Sequence, residues 1–206
     1  MLERFRAFWT RLLSPIARLF IRLGISADAV TLVGTLGVCA GALVFFPQGK
    51  LLTGVLVITA FVFSDLIDGH MARLTGKTNK FGAFLDSTLD RIGDGAIFGG
   101  LVLYFAGPGD SRLYTVLALV CLIMGAVTSY ARARAEGLGY EAKVGIAERS
   151  DRLVSILVMT GLGAIFDLPI LMEITLWALA IASTVTVAQR IWVVRKQAYA
   201  EAESAS

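Results

Sequence analysis

Asp65-Leu66-Ile67-Asp68-Gly69-His70-Met71-Ala72-Arg73 is followed, after eight residues, by Gly82-Ala83-Phe84-Leu85-Asp86-Ser87-Thr88-Leu89-Asp90. Its four carboxylates fall at intervals of 3, 18 and 4 residues, beside apolar runs long enough to cross a bilayer. Charge next to hydrocarbon is costly, so an acidic cluster there marks a functional site by default. On a helix, the i,i+3 pair Asp65/Asp68 and the i,i+4 pair Asp86/Asp90 each share one face. Two such helices in antiparallel contact, joined by a loop at residues 74–81, aim all four carboxylates at one point. Hard oxygen donors in a partly dry site call for divalent cations, Mg²⁺ or Mn²⁺. The alternative is solvated helix-end aspartates or structural pairing with arginines, and the regular spacing speaks against it.

The small residues fit the same picture. Gly69, Ala72 and Gly82 remove bulk where a second helix or a ligand must come close. Arg73 adds a cation suited to a phosphate or to orienting a carboxylate. Together, Asp65, Asp68, Gly69, Ala72, Arg73, Gly82, Asp86 and Asp90 reproduce D-x2-D-G-x2-A-R-x8-G-x3-D-x3-D without a gap. By this signature the chain resembles the CDP-alcohol phosphotransferases. The resemblance implies transfer of a phosphatidyl group from CDP-diacylglycerol to a polar alcohol, with release of CMP. It implies Asp65, Asp68 and Asp86 as metal ligands. Asp90 is then the general base on the acceptor hydroxyl, with a possible metal contact of its own. Two ions bridging the diphosphate are expected, although four carboxylates could hold one. Asp94, i+4 from Asp90 and outside the signature, reads as structural.

Composition agrees with a membrane protein. The chain has 206 residues, 56% of them hydrophobic, with a mean hydropathy of +0.74, far too apolar for a soluble domain of this size. Cys39 and Cys121 fall in separate apolar segments, which leaves neither a disulfide framework nor a CxxC metal site. The expected fold is an all-α integral membrane protein of six transmembrane helices, preceded by an N-terminal amphipathic interfacial helix. Its parts are that helix at 1–24, a membrane domain at 25–196 and a polar tail at 197–206. The spans fall near 28–46, 51–71, 84–106, 113–133, 150–166 and 170–194. Turn chemistry at Pro47–Lys50, Gly107–Asp110 and Asp167–Pro169 separates several of them. The shortest apolar run, Leu153 to Phe166, works as a span if its helix begins near Glu148.

In residues 2–23, Phe5, Phe8, Trp9, Leu12, Ile16, Leu19, Phe20 and Leu23 recur at helical spacing among Arg4, Arg11, Arg18 and Arg22. That is a helix lying in the headgroup region, divided or bent at Pro15. It lacks the uninterrupted core of a signal peptide. Of the 19 Lys and Arg, only Lys50 and Arg112 fall on the side of the short turns. Both termini and the acidic cluster are therefore expected on the cytoplasmic face of the cell membrane.

A second polar group comprises Ser129, Arg132, Arg149, Arg152 and Arg190. Ser129/Arg132 and Arg149/Arg152 are i,i+3 pairs, and converging guanidiniums suit a phosphate. The positive-inside rule alone is the competing explanation. This group, with the residues around Phe46–Lys50, resembles the actinobacterial phosphatidylinositol phosphate synthases within the family. That likeness implies inositol phosphate as acceptor (1D-myo-inositol 3-phosphate, which is L-myo-inositol 1-phosphate), with these side chains on its phosphate. Asp28, Thr31 and Thr78 are further expected contacts of the CDP-lipid, alongside Gly69, Ala72, Arg73 and Gly82. The family usually has Pro-Asn where this chain has Ala27-Asp28, so Ser26 or Asp28 as a plain helix cap stays open. His70 reads as a tolerated polar residue.

The family is generally homodimeric. Partners are CDP-diacylglycerol, inositol phosphate and membrane lipids, with no nucleic acid. One alternative is a phosphatidylglycerophosphate synthase, which takes glycerol 3-phosphate through the same anionic pocket. Another, of a different class, is a cation-coupled membrane transporter. That reading expects midplane acids and inverted repeats, whereas these acids cluster at one face.

Overall fold

The computed structural model describes residues 14–62, 64–75 and 80–204; within 64–75, the side chains of Ser64, Asp65, Leu66, Asp68, Ala72 and Thr75 fall outside the description. Expectations for residues 2–13 and for Thr78 lie outside the described residues. The described chain is helical and contains no strand. A helical segment at residues 14–22 (α1) precedes α2 (Ala27–Ala40), which runs on through a π turn, Gly41–Phe45, and a 3-10 turn, Phe46–Gln48. Then follow α3 (Leu51–Val62), α4 (Ser64–Thr75), α5 (Lys80–Ala106), α6 (Arg112–Gly137), α7 (Arg149–Phe166) and α8 (Ile170–Ser204).

The helix ends follow local chemistry. Ser26 Oγ accepts from the Ala29 amide at 3.2 Å and caps α2, so the capping role falls to Ser26 and leaves Asp28 in the first turn. Ser111 caps α6 in the same way. Glu148 and Asp151 form a reciprocal capping box, so α7 does begin at the edge of its apolar run. At the opposite ends, Gly49 turns the chain with φ +75°, and Asp167 closes α7 in the left-handed region.

Among the described residues, three helical stretches are long and apolar enough to cross a membrane: Ala27–Gln48, Arg112–Gly137 and Ile170–Glu203. The helices that fall short are informative. α5 carries Asp86, Asp90, Arg91 and Asp94 in its first half, and α7 opens with Arg149, Asp151 and Arg152. Their charges belong to the site described below. Phe46, Ile58, Ile97, Phe98, Leu101, Ile156 and Leu176 form the dry centre, while Leu32, Leu36, Val116, Ile123, Ile174 and Ile181 stand exposed. An apolar exterior of this extent is what a bilayer covers. Close backbone approach depends on glycine: a Cβ at Gly37 would fall 2.2 Å from the Phe61 ring, and one at Gly100 2.7 Å from the Ala42 carbonyl oxygen.

In α1, Ala17 is buried in a cluster with Val30 and Met71, against which Phe20, Ile21, Ala27 and Ile67 pack. Ile16, Leu19 and Leu23 stay exposed. Ser14 Oγ and His70 Nε2, 2.9 Å apart, tie α1 to α4, which gives the single histidine a structural partner.

Of the tail expected at 197–206, residues 197–204 are helical and form the end of α8. One stripe of α8 holds the loop at 138–148. Thr186 Oγ1 accepts from the Ile146 and Ala147 amides. Arg190 Nε donates to the Val144 carbonyl, and Gln197 bonds both the amide and the carbonyl of Glu141. Tyr140 Oη donates to Glu201 at 2.8 Å, and that carboxylate keeps the phenol protonated above its ordinary range. α4 and α5 each pack along α2.

Candidate active site

Asp86 and Asp90 stand one turn apart on α5, Asp86 exposed and Asp90 partly buried. Asp65 and Asp68 stand one turn apart on α4, together with Gly69 and Arg73. The side chains of Asp65, Asp68 and Ala72 are outside the description. Gly69 leaves open space: among the described residues, an added Cβ would meet nothing within 4 Å. Arg73 is exposed, and Gly82 lies in the first turn of α5.

The second group converges fully. Ser129, Arg132, Arg149, Arg152 and Arg190 line one cavity of about 680 Å³, and Asp90 lines it too. The late part of α6, the start of α7 and the middle of α8 supply the walls. The cavity lies away from the short turns, which share the opposite end of the bundle: Gly49, Lys50, Asp167 and Pro169 line a separate cavity there. Both candidate groups thus meet at Asp90, which the sequence could not show.

Within the cavity the arginines differ. Arg149 Nη1 sits 2.9 Å from Asp90 Oδ1, and its Nε donates to Asp94 Oδ1 at 2.9 Å. Arg152 is 2% exposed; its Nη1 donates to the Ala147 carbonyl and its Nη2 lies 3.8 Å from Asp94 Oδ2. Arg190, 5% exposed, gives its Nε to Val144 and its Nη1 to the Thr128 carbonyl, which ties the 138–148 loop to α6. Arg132 is the mobile kind, half-exposed and paired with Glu136 one turn on. Ser129 Oγ donates to the Gly125 carbonyl. Arg132 and Arg149 therefore offer the accessible guanidiniums, while Arg152 and Arg190 build the wall behind them.

Asp28 and Thr31 sit on the first turns of α2 and do not line this cavity. Thr31 is buried, and its Oγ1 donates to the Ala27 carbonyl. Sequence reasoning missed Arg91, which lines the cavity and whose buried Nε has no hydrogen-bond partner among the described residues. It read Asp94 as structural without its partners. The i+4 spacing from Asp90 was the available signal, but the partners on α7 come from tertiary packing.

The donor chemistry fits a divalent metal. Asp65, Asp68, Asp86 and Asp90 offer only hard carboxylate oxygens, the set that Mg²⁺ and Mn²⁺ prefer. The open space at Gly69 and the exposure of Asp86 leave room for the ions and for a ligand.

The CDP-alcohol phosphatidyltransferase family model matches residues 25–188. A phosphatidylinositol phosphate synthase of Streptomyces avermitilis is 50% identical over 213 aligned positions, covering 100% of this chain and 87% of the relative. The Cutibacterium acnes protein of the same name is 49% identical, covering 95% of this chain and 98% of its own. Among solved structures, Mycobacterium tuberculosis phosphatidylinositol phosphate synthase (PgsA1) with CDP-DAG bound is 41% identical. It superposes with a TM-score of 0.86 over 89% of this chain and 94% of its own. The same protein in complex with manganese and citrate superposes with a TM-score of 0.83, over 88% of each chain. With its signature intact and most of its length matched, the chain belongs to the CDP-alcohol phosphatidyltransferase family and is a membrane-embedded phosphatidyltransferase.

Proposed function

We propose that the enzyme transfers the phosphatidyl group of CDP-diacylglycerol to inositol phosphate, giving phosphatidylinositol phosphate and CMP. One observation carries the choice of a phosphorylated acceptor, within which the relatives' names favour inositol phosphate: Ser129, Arg132, Arg149, Arg152 and Arg190 line the same cavity as Asp90. An acceptor without a phosphate has no use for such a concentration of guanidiniums. The names of the relatives at 49% and 50% identity support the same acceptor.

Asp90 takes the proton from the acceptor hydroxyl as that oxygen bonds to the lipid-side phosphorus. The phosphorus–oxygen bond to CMP breaks in the same displacement. Arg132 and Arg149 receive the acceptor phosphate, and Arg152, Arg190 and Ser129 shape the wall that orients it. Divalent ions held by Asp65, Asp68, Asp86 and Asp90, two in this reading, neutralise the diphosphate's charge. Asp28, Thr31, Gly69, Ala72, Arg73, Thr78 and Gly82 form the CDP-lipid side. Six helical spans carry the site, after an interfacial N-terminal helix. The distribution of Lys and Arg supports both termini and the site facing the cytoplasm. The working unit is a homodimer.

The test offers inositol phosphate, free inositol and glycerol 3-phosphate together to the purified enzyme with CDP-diacylglycerol, and identifies the lipid product by mass. Phosphatidylinositol phosphate as the main product supports the reading. Phosphatidylglycerophosphate would keep the family and replace the acceptor.

A further inference from the structure

Asp94 has no place in the reaction as written, yet three arginines converge on it. Arg149 Nε lies 2.9 Å from Oδ1, and Arg152 Nη2 and Arg91 Nη2 lie 3.8 and 3.7 Å from Oδ2. Its side chain is 14% exposed, less than that of Asp90 at 21%. Arg152, nearly sealed from solvent, has Asp94 as its ion-pair partner among the described residues. Gly125 on α6 lies against Arg152: a Cβ there would stand 3.4 Å from its Nε, in ordinary van der Waals contact. Arg149 meanwhile straddles two carboxylates, with Nε on Asp94 and Nη1 on Asp90.

The two grips of Arg149 differ in consequence. Asp90 must be released if it is to accept a proton, and the acceptor brings a phosphate that competes for the same guanidinium. A guanidinium held along its Nε edge keeps its other donors available for a bidentate contact. We propose that Asp94 is a positioning residue: it pins Arg149 by Nε and holds Arg152 behind it, so that the Nη end of Arg149 passes from Asp90 to the acceptor phosphate. Acceptor binding and release of Asp90 are then one event. Without acceptor, Arg149 keeps Asp90 occupied. This rests on the reading of the cavity as the acceptor site.

The test compares full-length parent, Asp94→Asn, Asp94→Glu, Arg149→Gln and Arg149→Lys, each checked for a monodisperse folded protein. In Asp94→Asn, KM for inositol phosphate rises by about tenfold or more, while KM for CDP-diacylglycerol stays within about twofold. Asp94→Glu recovers part of the loss. Arg149→Lys keeps the charge but cannot grip two carboxylates with a fork, so it shows the same rise and serves if Asp94→Asn does not fold. In the Arg149→Gln background, Asp94→Asn adds less than its effect in the parent, as coupled residues do. Inorganic phosphate binding, followed by calorimetry, weakens in Asp94→Asn and Arg149→Gln alike. An unchanged acceptor KM, or equal rises in both KM values, overturns the proposal. So does parent-like phosphate binding in Asp94→Asn. If the parent does not use inositol phosphate, the acceptor reading fails and the phosphate titration still decides the role of Asp94.

Discussion

Arg190→Gln separates two jobs that one side chain performs. Arg190 donates Nε to the Val144 carbonyl at 2.9 Å and Nη1 to the Thr128 carbonyl, so it clasps the 138–148 loop to α6 from a position on α8. Each hydrogen bond from a charged donor contributes about 1.5–3 kcal/mol. Part of the summed loss is recovered because water reaches the loosened carbonyls, and a second buried guanidinium, Arg152, loses a like-charged neighbour. A net destabilisation of the loop by about 2–4 kcal/mol is expected, which raises its opening equilibrium roughly 30- to 1,000-fold. The reporters are the Ile146 and Ala147 amides, both bonded to Thr186 Oγ1. Hydrogen exchange in detergent or nanodiscs should show their protection falling by that factor, while amides in the middle of α5 keep theirs. Arg190→Lys restores little, since an ammonium lacks the spread of donors that reaches both carbonyls. Protection of Ile146 and Ala147 within about threefold of the parent would refute the reasoning and leave Arg190 with its place in the cavity wall alone.

Other expectations follow from the same geometry. Asp90→Asn keeps the fold but lowers kcat by roughly 10²–10⁴-fold, the usual value of a positioned base; turnover near the parent's removes Asp90 from that role. Chelation of divalent ions abolishes transfer, and Mg²⁺ or Mn²⁺ restores it more fully than Ca²⁺, because the ligands must grip a small ion tightly. Initial rates after add-back check this, and full activity in chelator refutes it. Gly37→Ala drives a methyl to 2.2 Å from the Phe61 ring and costs about 1–3 kcal/mol by overpacking. Thermal unfolding should show that loss, with Phe61→Leu in the same chain recovering part of it.

Local chemistry made much of this protein legible. Ser26, the Gly107–Asp110 turn and the start of α7 at Glu148 each act within a few residues, and the structure places helix ends there. The clustering of Ser129, Arg132 and Arg149 was also readable, because i,i+3 spacing on neighbouring helices puts side chains at one end of a bundle. What escaped depends on which helix meets which. Nothing near Arg152 announces that it will be buried beside Gly125, 27 positions away. Gln197 and Glu201 look like the polar end of a chain until the 138–148 loop supplies Glu141 and Tyr140 as their partners. That α4 and α5 each pack along α2 is likewise a packing outcome. Asp94 shows the same limit, since its meaning comes from α7.

The most direct measurement is CMP release by the purified enzyme from CDP-diacylglycerol with Mg²⁺, with and without inositol phosphate. CMP should appear only when both substrates are present, in step with phosphatidylinositol phosphate, and vanish in Asp90→Asn. CMP release that ignores inositol phosphate, or persists unchanged in Asp90→Asn, would contradict the account.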